Sequence, residues 1–213
     1  MEAPYLVDEP ARADGSLSNV LLVLWHGAGG DVGERSLVAV AAAAAAAAAA
    51  DGALVVRARF PYRVAGKRAP DRMPLLLASA RESIDAAAAL PNAGGRKLVL
   101  GGRSMGGRVA SLLVSEGLHA DGLVFLSYPL HPAGKPDKLR DAHLPAIRCP
   151  MLFVQGDRDT LCDLELLRPV LKKLGRRAQL SVFPGADHGM RKAPADEIAR
   201  VATEFVATRV AQA

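Results

Sequence analysis

Aromatic side chains are scarce in this chain: one Trp, three Tyr and five Phe among 213 residues, 4% in all. A core with so few rings must be filled mainly by Val, Leu and Ala, which favours helices and strands that approach closely. Cysteine is scarcer still. Cys149 and Cys162 are too few for a disulfide framework, so a reduced, cytoplasmic setting is the simpler expectation. No long hydrophobic run is present either. The longest, Leu37 to Ala50, falls short of the roughly 20 residues a membrane-crossing helix needs. The first residues, Met1-Glu2-Ala3-Pro4-Tyr5, lack the basic and apolar regions of a signal peptide, so neither membrane nor export is expected. The charge balance is only +5, and its basic residues are spread over Arg57 to Arg72, Lys135 to Arg148 and Lys172 to Arg177 without interleaved aromatics. A solvated surface explains them better than a nucleic-acid partner.

What the chain does have is an ordinary globular balance, 50% apolar and 23% charged, within a length that suits a single domain over 1–213. Residues 1 to 19 read as polar and turn-rich, through Asp14-Gly15-Ser16 and Ser18-Asn19. From there strands and helices alternate. Val20 to Trp25 is a continuous apolar run bounded by glycines, the pattern of a buried strand. Glu34 to Ala50, with its unbroken alanines from Ala41, is helical by propensity and is stopped by Asp51-Gly52. Further strands are expected at Ala53 to Arg59, Lys97 to Gly101, Leu123 to Ser127, Met151 to Gln155 and Gln179 to Phe183. Further helices are expected at Pro74 to Leu90, Met105 to Glu116, Leu161 to Leu174 and Pro194 to Val210. This is an α/β chain with a doubly wound, mostly parallel sheet of about six or seven strands and helices on both faces. The one long irregular stretch, the proline-rich Tyr128 to Pro150, reads as a surface excursion at a strand's C-terminal end, the sheet edge where ligands bind.

The sharpest local feature is Gly102-Arg103-Ser104-Met105-Gly106, placed between the apolar strand Leu98-Val99-Leu100 and the following helix. A sharp strand-to-helix turn needs Gly102 and Gly106 because side chains would collide there, and it holds a serine oxygen above the sheet edge. A Walker A loop is excluded, since no Gly-Lys-Ser/Thr follows. Ser104 as nucleophile needs a base. Among five histidines, His188 in Ala186-Asp187-His188-Gly189 follows the last strand and so falls at the same edge. His119, His131 and His143 lie in or near polar segments and read as surface residues. The acid should come from Gly156-Asp157-Arg158-Asp159, which offers both Asp157 and Asp159, with helix capping as the competing use of such an acidic turn. The chain order Ser, Asp, His is that of the α/β-hydrolase triad.

Acyl transfer also needs N–H donors for a developing oxyanion. One should be Met105, the residue after the nucleophile. The other should come from His26-Gly27-Ala28-Gly29-Gly30, with Ala28 the expected donor and His26 ordering the loop. A dinucleotide loop fails here because residue 32 is Val.

These motifs resemble the α/β-hydrolase superfamily, in particular a compact dienelactone-hydrolase-like branch that includes the testis-expressed protein 30 type and the hydrolase-like region of NSL complex subunit 3. The resemblance runs from about Val20 to Val206. It is carried by Leu100-Gly101-Gly102-Arg103-Ser104-Met105-Gly106-Gly107-Arg108, Ser127-Tyr128-Pro129-Leu130-His131-Pro132 and Leu152-Phe153-Val154-Gln155-Gly156-Asp157-Arg158-Asp159. It implies a minimal hydrolase fold without a cap domain, with Ser104 as nucleophile, Asp159 as acid and His188 as base. It further implies attack on an ester or similar acyl bond, an acyl-enzyme released by water, and neither metal nor organic cofactor. A serine stands where a true dienelactone hydrolase has cysteine. Tyr128 to Pro150 is the only candidate lid, which implies an open, shallow site for small or polar acyl substrates. Arg63, Lys67, Arg103 and Arg108 are candidates for drawing in an acidic substrate, with a surface role for Arg63 and Lys67 and a structural one for Arg103 as the competing readings. Cys162 reads as a small buried filler. The competing class is a non-catalytic interaction module that keeps the fold.

Overall fold

A computed structural model describes residues 3–8, 19–46 and 53–211. Its strands are β1 (Tyr5–Asp8), β2 (Val20–Trp25), β3 (Leu54–Ala58), β4 (Lys97–Arg103), β5 (Gly122–Leu126), β6 (Met151–Gly156) and β7 (Ala178–Phe183). They form one seven-stranded sheet in the order β1-β3-β2-β4-β5-β6-β7, parallel throughout except for antiparallel β1. The helices are α1 (Arg35–Ala46), the single turn α2 (Pro61–Val64), α3 (Met73–Ala88), α4 (Met105–Ser115), α5 (Leu164–Leu174) and α6 (Ala195–Val206).

Both faces of the sheet are covered. Along β2, Leu21, Val23 and Trp25 point to the layer of α3, α4 and α5, while Val20, Leu22 and Leu24 point to α1 and α6. Covered on both sides, the central strands need no polar alternation, which is why they read as continuous apolar runs. In α1 the alanine run does what its small side chains allow. Ala41, Ala44 and Ala45 are buried together with Leu37 and Val40, and through them the helix packs against α6 and the sheet. The expected remainder of that helix, Ala47 to Ala50, and the Asp51-Gly52 stop lie outside the described residues, as does the Asp14-Gly15-Ser16 turn.

Three expectations are corrected. The stretch read as polar and turn-rich contains β1, whose Asp8 carboxylate takes two hydrogen bonds from Arg57 of β3 at 2.8 and 2.9 Å, an ion pair that no sequence period announces. The fifth helix begins at Leu164 rather than Leu161, because Asp163 caps it by accepting the Glu165 N–H at 2.8 Å. Tyr128 to Pro150 is not simply a surface excursion. Tyr128, Leu130, Leu144 and Ile147 are buried against the α3–α5 face, and the longest exposed arc is Ala133 to Leu139. No cap domain stands over the sheet among the described residues, and none of their helices is long and apolar enough to cross a membrane.

β2 and β4 are neighbours, with Trp25 opposite Gly102, while the chain leaves β2 for β3 on one side and enters β4 on the other. The crevice beyond their C-terminal ends is the topological switch point, where open α/β sheets bind ligands. Ser104 and the His26–Gly30 loop both emerge there.

Candidate active site

The turn after β4 is built by close backbone approach. A Cβ added at Gly102 would lie 2.1 Å from the Trp25 carbonyl oxygen, and one at Gly106 would lie 2.2 Å from the same atom. Glycine at both places lets α4 start against β2. Between them Ser104 is forced to φ 49°, ψ −110°, a sparsely populated conformation for a residue with a Cβ. Its N–H is held by the Leu126 carbonyl at 2.9 Å.

That conformation aims the hydroxyl at a histidine. Ser104 Oγ lies 2.8 Å from His188 Nε2, and His188 Nδ1 lies 2.9 Å from both carboxylate oxygens of Asp159. The carboxylate can only accept, so the hydrogen-bond network assigns the imidazole proton to Nδ1 and leaves Nε2 free to accept from the serine hydroxyl. Asp159 has no exposed side-chain surface, and its carboxylate also takes the Leu161 N–H at 2.8 Å. The Gln155 side-chain amide, fully buried, donates to Asp159 Oδ2 at 3.4 Å and accepts the Tyr128 N–H. Asp157 does not join them. It is exposed and accepts the Gly185 N–H at 2.6 Å, tying down the turn after β7.

The glycine loop after β2 comes against the serine: a Cβ on Gly27 would sit 3.5 Å from the Ser104 Cβ. Gly30 N–H donates to the Gly27 carbonyl at 3.0 Å, closing a tight turn around Ala28. His26 secures it from below. Its Nδ1–H donates to the Gly27 carbonyl at 2.8 Å, and its Nε2 accepts the Phe60 N–H at 3.2 Å. Burial pushes the His26 pKa down, so the ring stays neutral and keeps both bonds. The Tyr62 hydroxyl, on the short helix α2, donates to the Ala28 carbonyl at 2.8 Å. Tyr62 was not singled out by sequence reasoning, because its role depends on the switch point bringing β3's extension beside β2. The Met105 N–H opens α4, where the first N–H groups have no intrahelical acceptor.

A family model described as "Alpha/beta hydrolase domain" matches residues 18–211. The chain belongs to that family. The fold is also that of several solved structures. An alpha-beta serine hydrolase homologue from Coxiella burnetii is 15% identical at a TM-score of 0.75, covering 95% of this chain and 90% of its own. A serine hydrolase from Xanthomonas campestris, described as lacking a lid, is 20% identical at a TM-score of 0.75, with coverage of 97% and 88%. A dienelactone hydrolase from Anabaena variabilis is 18% identical at a TM-score of 0.68, with coverage of 97% and 91%.

Other sequence candidates fall elsewhere. Of the histidines read as surface residues, only His119 is well exposed. His131 is buried, its Nε2 accepting the Asp163 N–H at 3.1 Å. His143 is half-buried, with Nε2 at 2.8 Å from Ser111 Oγ on α4, because the Tyr128–Pro150 segment folds back onto that helix. The four basic residues do not assemble into an anion site. Arg63 reaches Asp31 at 4.0 Å, Lys67 is exposed, and Arg108 lies near Tyr128 and His143. Arg103 turns inward, donating to the His188 carbonyl at 2.7 Å beside Glu34. Burial raises the Cys162 thiol to about 12 and Cys149 to about 11, so neither is a ready nucleophile. Among the described residues no three His, Cys, Asp or Glu side chains are grouped to hold a metal ion.

Proposed function

We propose that this α/β hydrolase is a serine esterase, cleaving a carboxylic ester or related acyl bond of a small substrate in one domain over 1–213. The observation that carries the reading is the unbroken relay Ser104–His188–Asp159, with contacts of 2.8 and 2.9 Å. In the proposed reaction Ser104 Oγ attacks the acyl carbonyl while His188 Nε2 takes its proton. Asp159 holds the imidazole in the required tautomer and stabilises the imidazolium that forms. The Ala28 and Met105 N–H groups hold the oxyanion. His188 returns the proton to the leaving alcohol, then activates a water that releases the acid and frees the serine. No step calls for a metal or an organic cofactor.

Two features support a small or polar acyl group. No cap encloses the edge among the described residues, and the rings near the site, Phe60 and Tyr62, are buried in supporting the glycine loop. A non-catalytic module is the weaker reading, because nothing in mere fold maintenance calls for a strained serine aimed at a paired histidine. A fluorophosphonate probe tests the proposal. Wild type should be labelled and Ser104→Ala should not; equal labelling of both removes Ser104 as nucleophile.

A further inference from the structure

The three working segments of the proposed site come from separate parts of the chain. The register of β2 and β4 ties the glycine loop to the nucleophile turn. His188 lies on a loop that leaves the sheet at the end of β7, three strands from β4, and the bonds at Phe183, Gly185 and Ala186 tie that loop to the Asp157–Asp159 turn after β6, not to the nucleophile turn. Between Phe183 and Ala195 the chain has no strand or helix of its own, and it carries a positive φ of 53° at Met190. A loop of that kind does not place an imidazole to within a fraction of an ångström unaided.

Arg103 provides the missing tie. It directly precedes Ser104 at the end of β4, and its Nη2 donates to the main-chain carbonyl of His188 at 2.7 Å. The same guanidinium lies against the glycine loop, where a Cβ on Gly27 would be 3.1 Å from Nη1. Its Nε faces Glu34 Oε1 at 3.4 Å, and the two side chains are only 15% and 19% exposed. Glu34 is itself fixed at the start of α1, its Oε2 accepting from Ser36 Oγ at 2.7 Å and from the Leu37 N–H at 3.3 Å. The next residue, Arg35, donates to the carbonyls of Met190 and Ala193, both at 2.8 Å. Two guanidinium groups therefore hold three carbonyls of the base-bearing loop.

We propose that Arg103, braced by Glu34, is a positioning residue that locks the His188 loop and the Gly27–Gly30 loop onto the nucleophile turn. This rests on the esterase reading above. Arg103 acts through backbone, since its bond is to the His188 carbonyl and not to the imidazole. Its one hydrogen bond runs to the His188 carbonyl, and its Nε is paired in charge with Glu34, so it is assigned to positioning rather than to substrate binding. A planar fork that reaches a carbonyl and a carboxylate together suits arginine; a lysine ammonium, one compact charge on a flexible stem, fulfils the task only in part.

The test measures p-nitrophenyl acetate hydrolysis per fluorophosphonate-titrated serine in wild type, Arg103→Met, Arg103→Lys and Glu34→Gln, with hydrogen exchange of the 184–193 segment. Arg103→Met should lower kcat by about 10- to 100-fold with KM within about twofold, as expected for a displaced catalytic group. The 184–193 segment should exchange faster, and Arg103→Lys should recover part of the lost kcat. A kcat within about twofold of wild type overturns the proposal, and so does a raised KM at unchanged kcat, which would make Arg103 a substrate contact. If Arg103→Met does not fold, Glu34→Gln decides. It keeps the shape and the capping oxygen, and should lower kcat by about 3- to 10-fold; an unchanged kcat overturns the bracing. Failure of wild type to label or turn over would instead refute the esterase reading, while the exchange rates would still decide whether Arg103 tethers the loop.

Discussion

Replacing Asp159 by asparagine separates the two acids of the Gly156–Asp159 turn. The carboxylate is wholly buried and receives the His188 Nδ1–H and the Leu161 N–H. Asparagine fills the same volume, and its carbonyl oxygen can keep the Leu161 N–H, so the fold should survive. Its amide nitrogen then takes the Oδ2 place, 2.9 Å from His188 Nδ1 and donor against donor, while the carbonyl oxygen, also 2.9 Å from Nδ1, is already shared with the Leu161 N–H. The imidazole responds by moving its proton to Nε2, the nitrogen 2.8 Å from Ser104 Oγ, and a protonated Nε2 cannot take the serine's proton. A tautomer locked the wrong way costs on the order of 10⁴ in kcat in a serine protease triad, about 5 kcal/mol of transition-state stabilisation. A loss of at least about 10³ in kcat/KM is therefore expected for Asp159→Asn. Asp157→Asn should stay within about twofold, because Asp157 is exposed and an amide oxygen can still accept the Gly185 N–H. Initial rates on p-nitrophenyl acetate, with melting temperatures to confirm folding, decide the matter. A loss of less than about tenfold for Asp159→Asn, or a larger loss for Asp157→Asn, would refute the reasoning.

Two further predictions concern stability. Burial, followed by the nearby Arg108, lowers the His143 pKa from 6.5 to about 4. A histidine whose folded pKa is depressed supplies stability that is present above its unfolded pKa and lost as pH falls towards its folded pKa, here from about 6.5 to about 4. After discounting for partial solvent access, this group should account for about 1–2 kcal/mol of lost stability at pH 5 relative to pH 8. His26, lowered in the same sense, adds to the loss. Urea midpoints of wild type and His143→Gln at the two pH values check this; an equal pH dependence in both proteins counts against His143. At the Ser104 turn, Gly102→Ala puts a Cβ 2.1 Å from the Trp25 carbonyl oxygen at φ 144°, and should destabilise by about 3 kcal/mol or more. Gly29→Ala, with open space around it and no positive φ, should change stability by less than about 1 kcal/mol. Thermal unfolding of the two variants would expose the error if they behaved alike.

The parts of the fold that read directly from the sequence are those with local causes. Continuous apolar runs such as Val20–Trp25 mark strands buried on both faces, and alanine propensity marks α1 through Ala46. Gly102 and Gly106 bracket Ser104 because the close approach they permit is made by the strand immediately beside them. Edge strand β1 was missed because four residues, YLVD, carry too little period to announce a strand. What fixes it is Arg57, 49 residues downstream from Asp8. His131 and His143 were misread for the same reason: polar flanking residues suggest exposure, while the packing of the Tyr128–Pro150 segment decides it, His143 on α4 and His131 on the turn before α5.

The same distinction explains why the reagents of the proposed site were legible while most of their supports were not, His26 as the orderer of the glycine loop and a structural role for Arg103 being the two that were read. A nucleophile, a base and an acid must be particular residue types, so chain order and strand ends narrow the choice to Ser104, His188 and one of two aspartates. Their supports are donors to main-chain carbonyls: Arg103 to His188, Arg35 to Met190 and Ala193, Tyr62 to Ala28. A carbonyl accepts from any donor and carries no residue identity, so neither end of such a bond is marked in the sequence. The Gln155 amide between the Tyr128 N–H and Asp159 is a partial exception. A fully buried amide within an otherwise apolar strand must find partners for its donor and its acceptor, and that demand alone points to a neighbouring polar group.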